Sequence, residues 1–401
     1  MKSVFSNNIK INNIELLFLS LVILIFVLID RTIIMNIGTA FPAYVILIIS
    51  FLYCGLYLTK LGISFNYNSK VLLYLVFYLL FLIIYSLSTD LNDLNYALRI
   101  LVYISIIFLF GNIRYSFRNL LTLVLPFNIF SVYLFVLWVI SLETTKYSGI
   151  FGNPNTLGIV IYNILFLQII IILSTKSKFI KNIYVLLIIF NIILLYVSTS
   201  RAVWLASLVS VIVYLGYDWL IRTKNNYKIT YIITIIGILC FSYLYPRLYK
   251  MDIGWKINDF IVSITGKSFF SGRQYLWAEI ISVIETKLLF GFGLSTSSKE
   301  LLGTNHEAHN MFLNILLKTG LVGLITYSIL LYVIWMALYP GNNIVDNKNT
   351  FKIFPSYFAG LIIYQGFELT FVDGAYSTNL LEWLIIALGI SLLKSKNIIE
   401  R

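Results

Sequence analysis

The chain reads as an all-α, polytopic integral membrane protein with about twelve transmembrane helices and one large extracytoplasmic loop holding short interfacial helices. Three observations predict this. Hydrophobic residues make up 60% of the 401 positions and charged residues 11%, with a mean hydropathy of +0.90, which excludes a soluble domain. Apolar runs long enough to cross a bilayer recur along the whole length. Lys and Arg gather in the tails and in every second connection (Lys60, Lys70, Arg114, Arg118, Lys176, Lys178, Lys181, Arg222, Lys224, Lys348, Lys352), while the short connections between them carry only Arg31, Arg99, Lys146 and Arg201. That alternation places both termini in the cytoplasm. The net charge of +12 therefore sets orientation and does not mark a nucleic-acid partner.

The expected spans lie at about 15–29, 40–58, 71–87, 97–110, 120–142, 156–173, 182–197, 202–217, 229–245, 310–338, 354–372 and 380–393. The fourth is short and the tenth long, which leaves eleven or thirteen open. Asp30-Arg31 follows the first run where a small-residue cleavage site would stand, so it reads as an uncleaved anchor. Cys54 and Cys240 fall inside runs and read as small core residues, with no disulfide framework. Neither linker nor internal repeat interrupts the sequence, so residues 1–401 form a single membrane domain. The one compositional departure is residues 246–308, a long outer connection rich in Trp, Tyr, Phe and Ile, which predicts an ordered, functional loop.

Four polar stretches fall on the outer side: "YSGIFGNPNTLG" (147–158), "STSRAVW" (198–204), "SGRQYLW" (271–277) and "NHEAHN" (305–310). In the third, Ser271 and Gln274 have capping-box spacing, predicting a helix from Gly272. Its apolar face (Tyr275, Leu276, Trp277, Ile280, Ile281, Ile284) would rest on the membrane surface. Arg273 in the first turn suits an anion, though a loop arginine also serves solubility alone. Arg201 opens a helix and either snorkels to headgroups or faces a bound anion. Asn153-Pro154-Asn155 reads as a turn with Asn155 as the N-cap of the sixth span; its amides suit a sugar hydroxyl and equally a simple turn.

His306 and His309 are the only two histidines. Thr304 and Glu307 have capping-box spacing, so a helix is expected from there, with both imidazoles on one face at i and i+3. A zinc protease needs H-E-x-x-H, with ligands at i and i+4; the spacing here is one short and predicts no metal site. A straight helix over 310–338 would be about 43 Å long against a core of about 30 Å, so it either breaks near Lys318–Gly320 or projects above the bilayer. His309 then stands at the mouth of the bundle, as a general base or as a hydrogen-bonded interfacial side chain.

Together, "GIFGNPNTLG", "STSRAVWLA", "SGRQYLWAEIISVIETKLLFGFGL" and "AHNMFLNILLKTGLVGL" resemble, in order and spacing, the O-antigen polymerase and O-antigen ligase superfamily of bacterial polysaccharide-assembly proteins. The resemblance covers roughly 150–340; the first 140 residues match in hydropathy alone. It implies a metal-independent glycosyltransferase without a cofactor, acting at the outer face of the cytoplasmic (inner) membrane on an undecaprenyl-pyrophosphate-linked glycan. It implies His309, followed by Asn310, as the catalytic residue, and Arg201 and Arg273 as the pyrophosphate grip. His306, Asn310, Asn153 and Asn155 stand as helpers or substrate contacts. Partners implied are the bilayer itself and a chain-length regulator and flippase of the same pathway.

A polymerase and a ligase share this donor chemistry. The Ile-, Asn- and Lys-heavy composition resembles that of polysaccharide-cluster polymerases, so polymerase is the reading favoured, with ligase as the alternative. A twelve-span flippase or transporter would show repeats and charges near the midplane. Glu368 and Glu382 are the only acids in spans away from the outer cluster, and the sequence assigns them no role.

Overall fold

The computed structural model describes residues 11–31, 69–90, 93–143, 146–220, 223–303, 306–340, 348–374 and 376–394. Among these, every regular element is helical. Helices α1 (Asn13–Arg31), α2 (Ser69–Thr89), α3 (Leu94–Phe110), α4 (Phe117–Ser141), α5 (Pro154–Ser174), α6 (Lys178–Ser198) and α7 (Arg201–Leu215) precede a short α8 (Tyr217–Leu220). Then come α9 (Lys224–Leu248), the loop helices α10 (Asp252–Thr265), α11 (Arg273–Ile284) and α12 (Ser298–Leu302), and finally α13 (Met311–Ala337), α14 (Lys348–Gln365) and α15 (Tyr376–Lys394). Eleven of the expected spans coincide with a helix; the run at 40–58, with Cys54, lies outside the described residues.

Six described helices, α2, α4, α5, α6, α9 and α13, are long and apolar enough to cross a membrane. Shorter apolar helices cover 13–28, 96–110, 201–215 and 378–393. The bundle is polarised in the way a bilayer demands: α5 and α15 are buried nearly all round, while α2, α6 and α9 expose Leu, Ile and Phe along one face. α14 packs along α7, α5 along α6, and α3 between α2 and α15. Cys240 is exposed on α9 and is not a core residue. It falls on that helix's outward apolar face.

The expected span at 354–372 overruns. α14 stops at Gln365, and residues 366–374 form a non-helical strap whose Phe371 and Val372 are buried in protein instead of lipid. Apolar composition marks burial, and here the burial is not helical. The tenth span takes the broken form. Gly320 has φ 64° and ψ −161°, a backbone region almost exclusive to glycine, and splits α13.

The break frees carbonyls at 317–318 and amides at 321–322. The outer loop supplies their partners: Phe292 N–H donates to Leu317 O (2.9 Å), Gly293 N–H to Lys318 O (2.9 Å), and Leu321 N–H to Leu288 O (2.9 Å). The glycines of "LLFGFGL" are thus explained. A Cβ on Gly291 would lie 2.6 Å from the Lys318 carbonyl carbon, and one on Gly320 would lie 2.3 Å from that of Leu289. Gly320→Ala is expected to cost at least about 3 kcal/mol, from the strained backbone together with this overlap, read as a lowered unfolding temperature in detergent. An unchanged transition would mean that the loop does not sit in the break.

Within 246–303, the described part of the outer loop packs on the bundle. Helix α11 begins at Arg273 with Gly272 as its cap in the left-handed region (φ 89°), so the Ser271 capping box does not form. Nor does α11 lie on the membrane surface. Its Trp277, Ile280 and Ile284 are buried with Ala308, Leu313 and Leu317, against α9 and α13. Its apolar stripe is satisfied by protein.

Candidate functional site

Three helix N-termini, those of α5, α11 and α13, converge on the strap 366–374. At each, local sequence explains the position of one polar side chain. In α5, Asn153 is the N-cap, its side chain accepting from Asn155 N–H at 2.8 Å, and Pro154 fills the first helical position. The expectation of Asn155 as the cap is therefore corrected, and its amide is free to point elsewhere. In α13 the cap is Asn310, whose Oδ1 accepts from Leu313 N–H at 3.0 Å. Its Nδ2 donates to Gly366 O (2.9 Å) and Ser242 Oγ (2.8 Å), tying the strap to α9 and α13.

This cap overturns the helix start expected at Thr304–Glu307. Thr304 lies outside the described residues, and Glu307 instead accepts from Ser298 and pairs with Lys299 of α12. Residues 306–310 precede the helix, so His306 and His309 do not share a helical face. His309 sits at φ 46°, a left-handed conformation that costs a non-glycine residue on the order of 1 kcal/mol and cannot continue into a helix. Trp277 Nε1 holds the preceding carbonyl, Ala308 O, at 2.8 Å.

The centre of the cluster is a residue to which the sequence assigned no role. Glu368, with its side chain only 10% exposed, accepts on Oε1 from Arg273 Nη2 (2.6 Å) and Asn155 Nδ2 (2.9 Å), and its Oε2 meets His309 Nδ1 at 2.9 Å. Arg273 Nη1 also donates to Phe367 O at 2.7 Å. One carboxylate thus gathers a guanidinium, an amide and an imidazole from three separate helix starts, where backbone dipoles favour negative charge. With a carboxylate on Nδ1, that nitrogen carries the proton. The Nε2 lone pair is left on the other side of a ring whose side chain is 36% exposed. This is the geometry of a general base oriented by an acid.

The other sequence candidates fall outside this hub. His306 is exposed, in the segment before α13. Arg201, exposed at the start of α7, donates through Nη1 to Ser268 O at 2.6 Å. Beside it, burial and the charges of Arg201 and Lys146 hold the Lys267 ammonium below its ordinary range. Three cations from three connections therefore converge on one flank of the loop, where an anion would relieve their repulsion.

At its far end the strap is fastened again. Asp373 takes hydrogen bonds from Lys318 Nζ (2.6 Å) and Asn314 Nδ2 (2.8 Å) and pairs with Arg99 (3.3 Å). Burial alone would raise the Asp373 carboxyl; the Lys318 and Arg99 charges outweigh it and hold it far below the usual carboxylate range. Glu382, the other acid with no role assigned, is fully buried on α15 and accepts from Thr370 Oγ1. It takes no part in the Glu368 cluster.

Residues 184–328 match the family described as O-antigen ligase. The match contains Arg201, Arg273, His306, His309 and Asn310, and it bears out the resemblance to the O-antigen polymerase and ligase superfamily. Six described helices are long and apolar enough to cross a membrane, and a region similar to the O-antigen ligase family lies among them. No curated protein matches the chain. Asn155 and Glu368 lie outside the matched region, and no sequence signal singled out Glu368 beyond its being an acid in an otherwise apolar run.

Proposed function

We propose that the protein is a surface-polysaccharide (O-antigen) polymerase, which joins undecaprenyl-pyrophosphate-linked oligosaccharide repeats at the outer face of the cytoplasmic membrane. The observation that carries this reading is the Glu368–His309 pair, set beside Arg273. In the reaction, an acceptor sugar hydroxyl attacks the anomeric carbon of the donor. The bond to the diphosphate breaks, and the hydroxyl proton passes to His309 Nε2. Glu368 holds the imidazole in the required tautomer and balances the charge it gains.

The departing diphosphate meets Arg201, Lys267 and Lys146 on one side and Arg273 on the other. Arg273 spends two of its five N–H donors on Phe367 and Glu368. A single displacement inverts the anomeric centre. No step of this scheme calls for a metal, and the diphosphate's charge is met by side chains.

The description of the matched family favours a second acceptor. As a ligase, the same site would hand the polymer to lipid A-core. A surface-polysaccharide gel from a strain lacking the gene separates the two. Lipid A-core with a single repeat and no ladder is the expected outcome for the polymerase; bare core, with long polymer retained on the carrier lipid, marks the ligase. A normal ladder would overturn both.

A further inference from the structure

A groove lies on a neighbouring face of α11, against the end of α9. Helix α9 presents one unbroken outward stripe: Ile229, Ile232, Ile233, Ile236, Cys240, Tyr243 and Leu244 are all exposed and recur at the three- and four-residue spacing of one helical face. No described residue covers it, as expected of a lipid-facing surface on a helix long and apolar enough to span. The next position on that face is Arg247. From Ile229 to Arg247 the helix climbs about 27 Å at 1.5 Å per residue, close to the roughly 30 Å thickness of a hydrocarbon core. Arg247 therefore stands at headgroup level.

There the stripe opens into a groove of about 240 Å³ between the end of α9 and α11. Arg247 and Lys250 line one wall; Ala278, Ile281 and Glu285 line the other. The guanidinium is not collapsed into the groove at random. Its Nη1 donates to Tyr243 O at 2.8 Å, and its Cζ lies 3.5 Å from the centroid of the Tyr243 ring, a pre-ordered posture for a planar donor. An apolar stripe of bilayer length, ending in two cations and a walled groove, has the shape and charge order of a phospholipid: acyl chain, then phosphate. Glu285 across the groove suits the amine of a zwitterionic headgroup.

We infer that this groove holds a bilayer phospholipid, with its phosphate on Arg247 and Lys250 and its acyl chain along the exposed face of α9. It shares no residue with the Glu368 cluster, and Ala278 and Ile281 lie about 100° around α11 from buried Trp277, Ile280 and Ile284. It does not depend on the reaction the protein performs.

The test is native mass spectrometry of the full chain in detergent, titrated with phosphatidylethanolamine. One tightly retained lipid is expected. The double variant Arg247→Gln, Lys250→Gln should weaken it about thirtyfold, two cations each contributing roughly fivefold at a membrane surface. Both side chains are exposed, so the variant should fold; Lys256→Gln on α10, also exposed, should leave binding unchanged. Equal retention by the double variant would overturn the assignment. So would displacement of the lipid by millimolar inorganic phosphate, which would mark a soluble-anion site, or tighter binding of a polyprenyl diphosphate, which would make the groove a donor site.

Discussion

His309→Ala is expected to leave a protein that folds and inserts but transfers sugar at least about a hundredfold more slowly, within the 10²–10⁴-fold range that a positioned general base contributes. Folding should survive because the imidazole lies at the rim and the surrounding contacts do not run through it. Asn310 caps α13, Trp277 holds Ala308 O, and Arg273 still holds Glu368. Substitution also removes a ring but keeps the left-handed backbone, so the strain at φ 46° persists and stability should change little. The check is the ladder in complemented cells together with the amount of protein in the membrane. A full ladder from His309→Ala would remove the imidazole from the chemistry, whatever the role of its neighbours.

Glu368 is expected to have an effect as large by a different route. Glu368→Gln keeps an oxygen for Arg273 and Asn155 but offers His309 a neutral partner, which neither fixes the Nδ1–H tautomer nor balances an imidazolium. Transfer should fall by about 10²–10⁴-fold with the fold intact. Glu368→Ala should add a structural cost of about 3 kcal/mol, because the half-buried Arg273 loses its only carboxylate partner among the described residues. The two variants together separate positioning from scaffolding. If Glu368→Gln transferred at the native rate while Glu368→Ala merely unfolded earlier, the carboxylate would be a structural anchor and nothing more.

Much of the fold was legible because lipid makes composition and periodicity decisive. The spans from 71 to 245 sit within a few residues of helices α2 to α9, and the alternation of basic residues needed no packing information. The failures share a cause. At Thr304–Glu307, Ser271–Gln274 and Asn155, local capping spacing pointed one way, and a better local cap or a tertiary contact took another. Asn310 displaced the first, Gly272 the second and Asn153 the third.

The proposed base His309 and the guanidinium of Arg273 could be named from their stretches. The carboxylate that joins them could not, since Glu368 is 59 residues from one partner and 95 from the other, in a run that reads as continuous span. Likewise, nothing in "LLFGFGL" itself shows that its glycines serve the backbone of α13 at 317–322.

The bonds made by Glu368 bear on how this protein can be taken apart. The matched region ends at residue 328, and Asn155 and Glu368 lie on either side of it. A chimera that carried only residues 184–328 into another bundle would bring the imidazole and the guanidiniums but leave behind the carboxylate that orients them. The family region is therefore not a transplantable cassette. Its activity in a new host would depend on whether that host's own strap, after its penultimate helix, offers an acid at the same height.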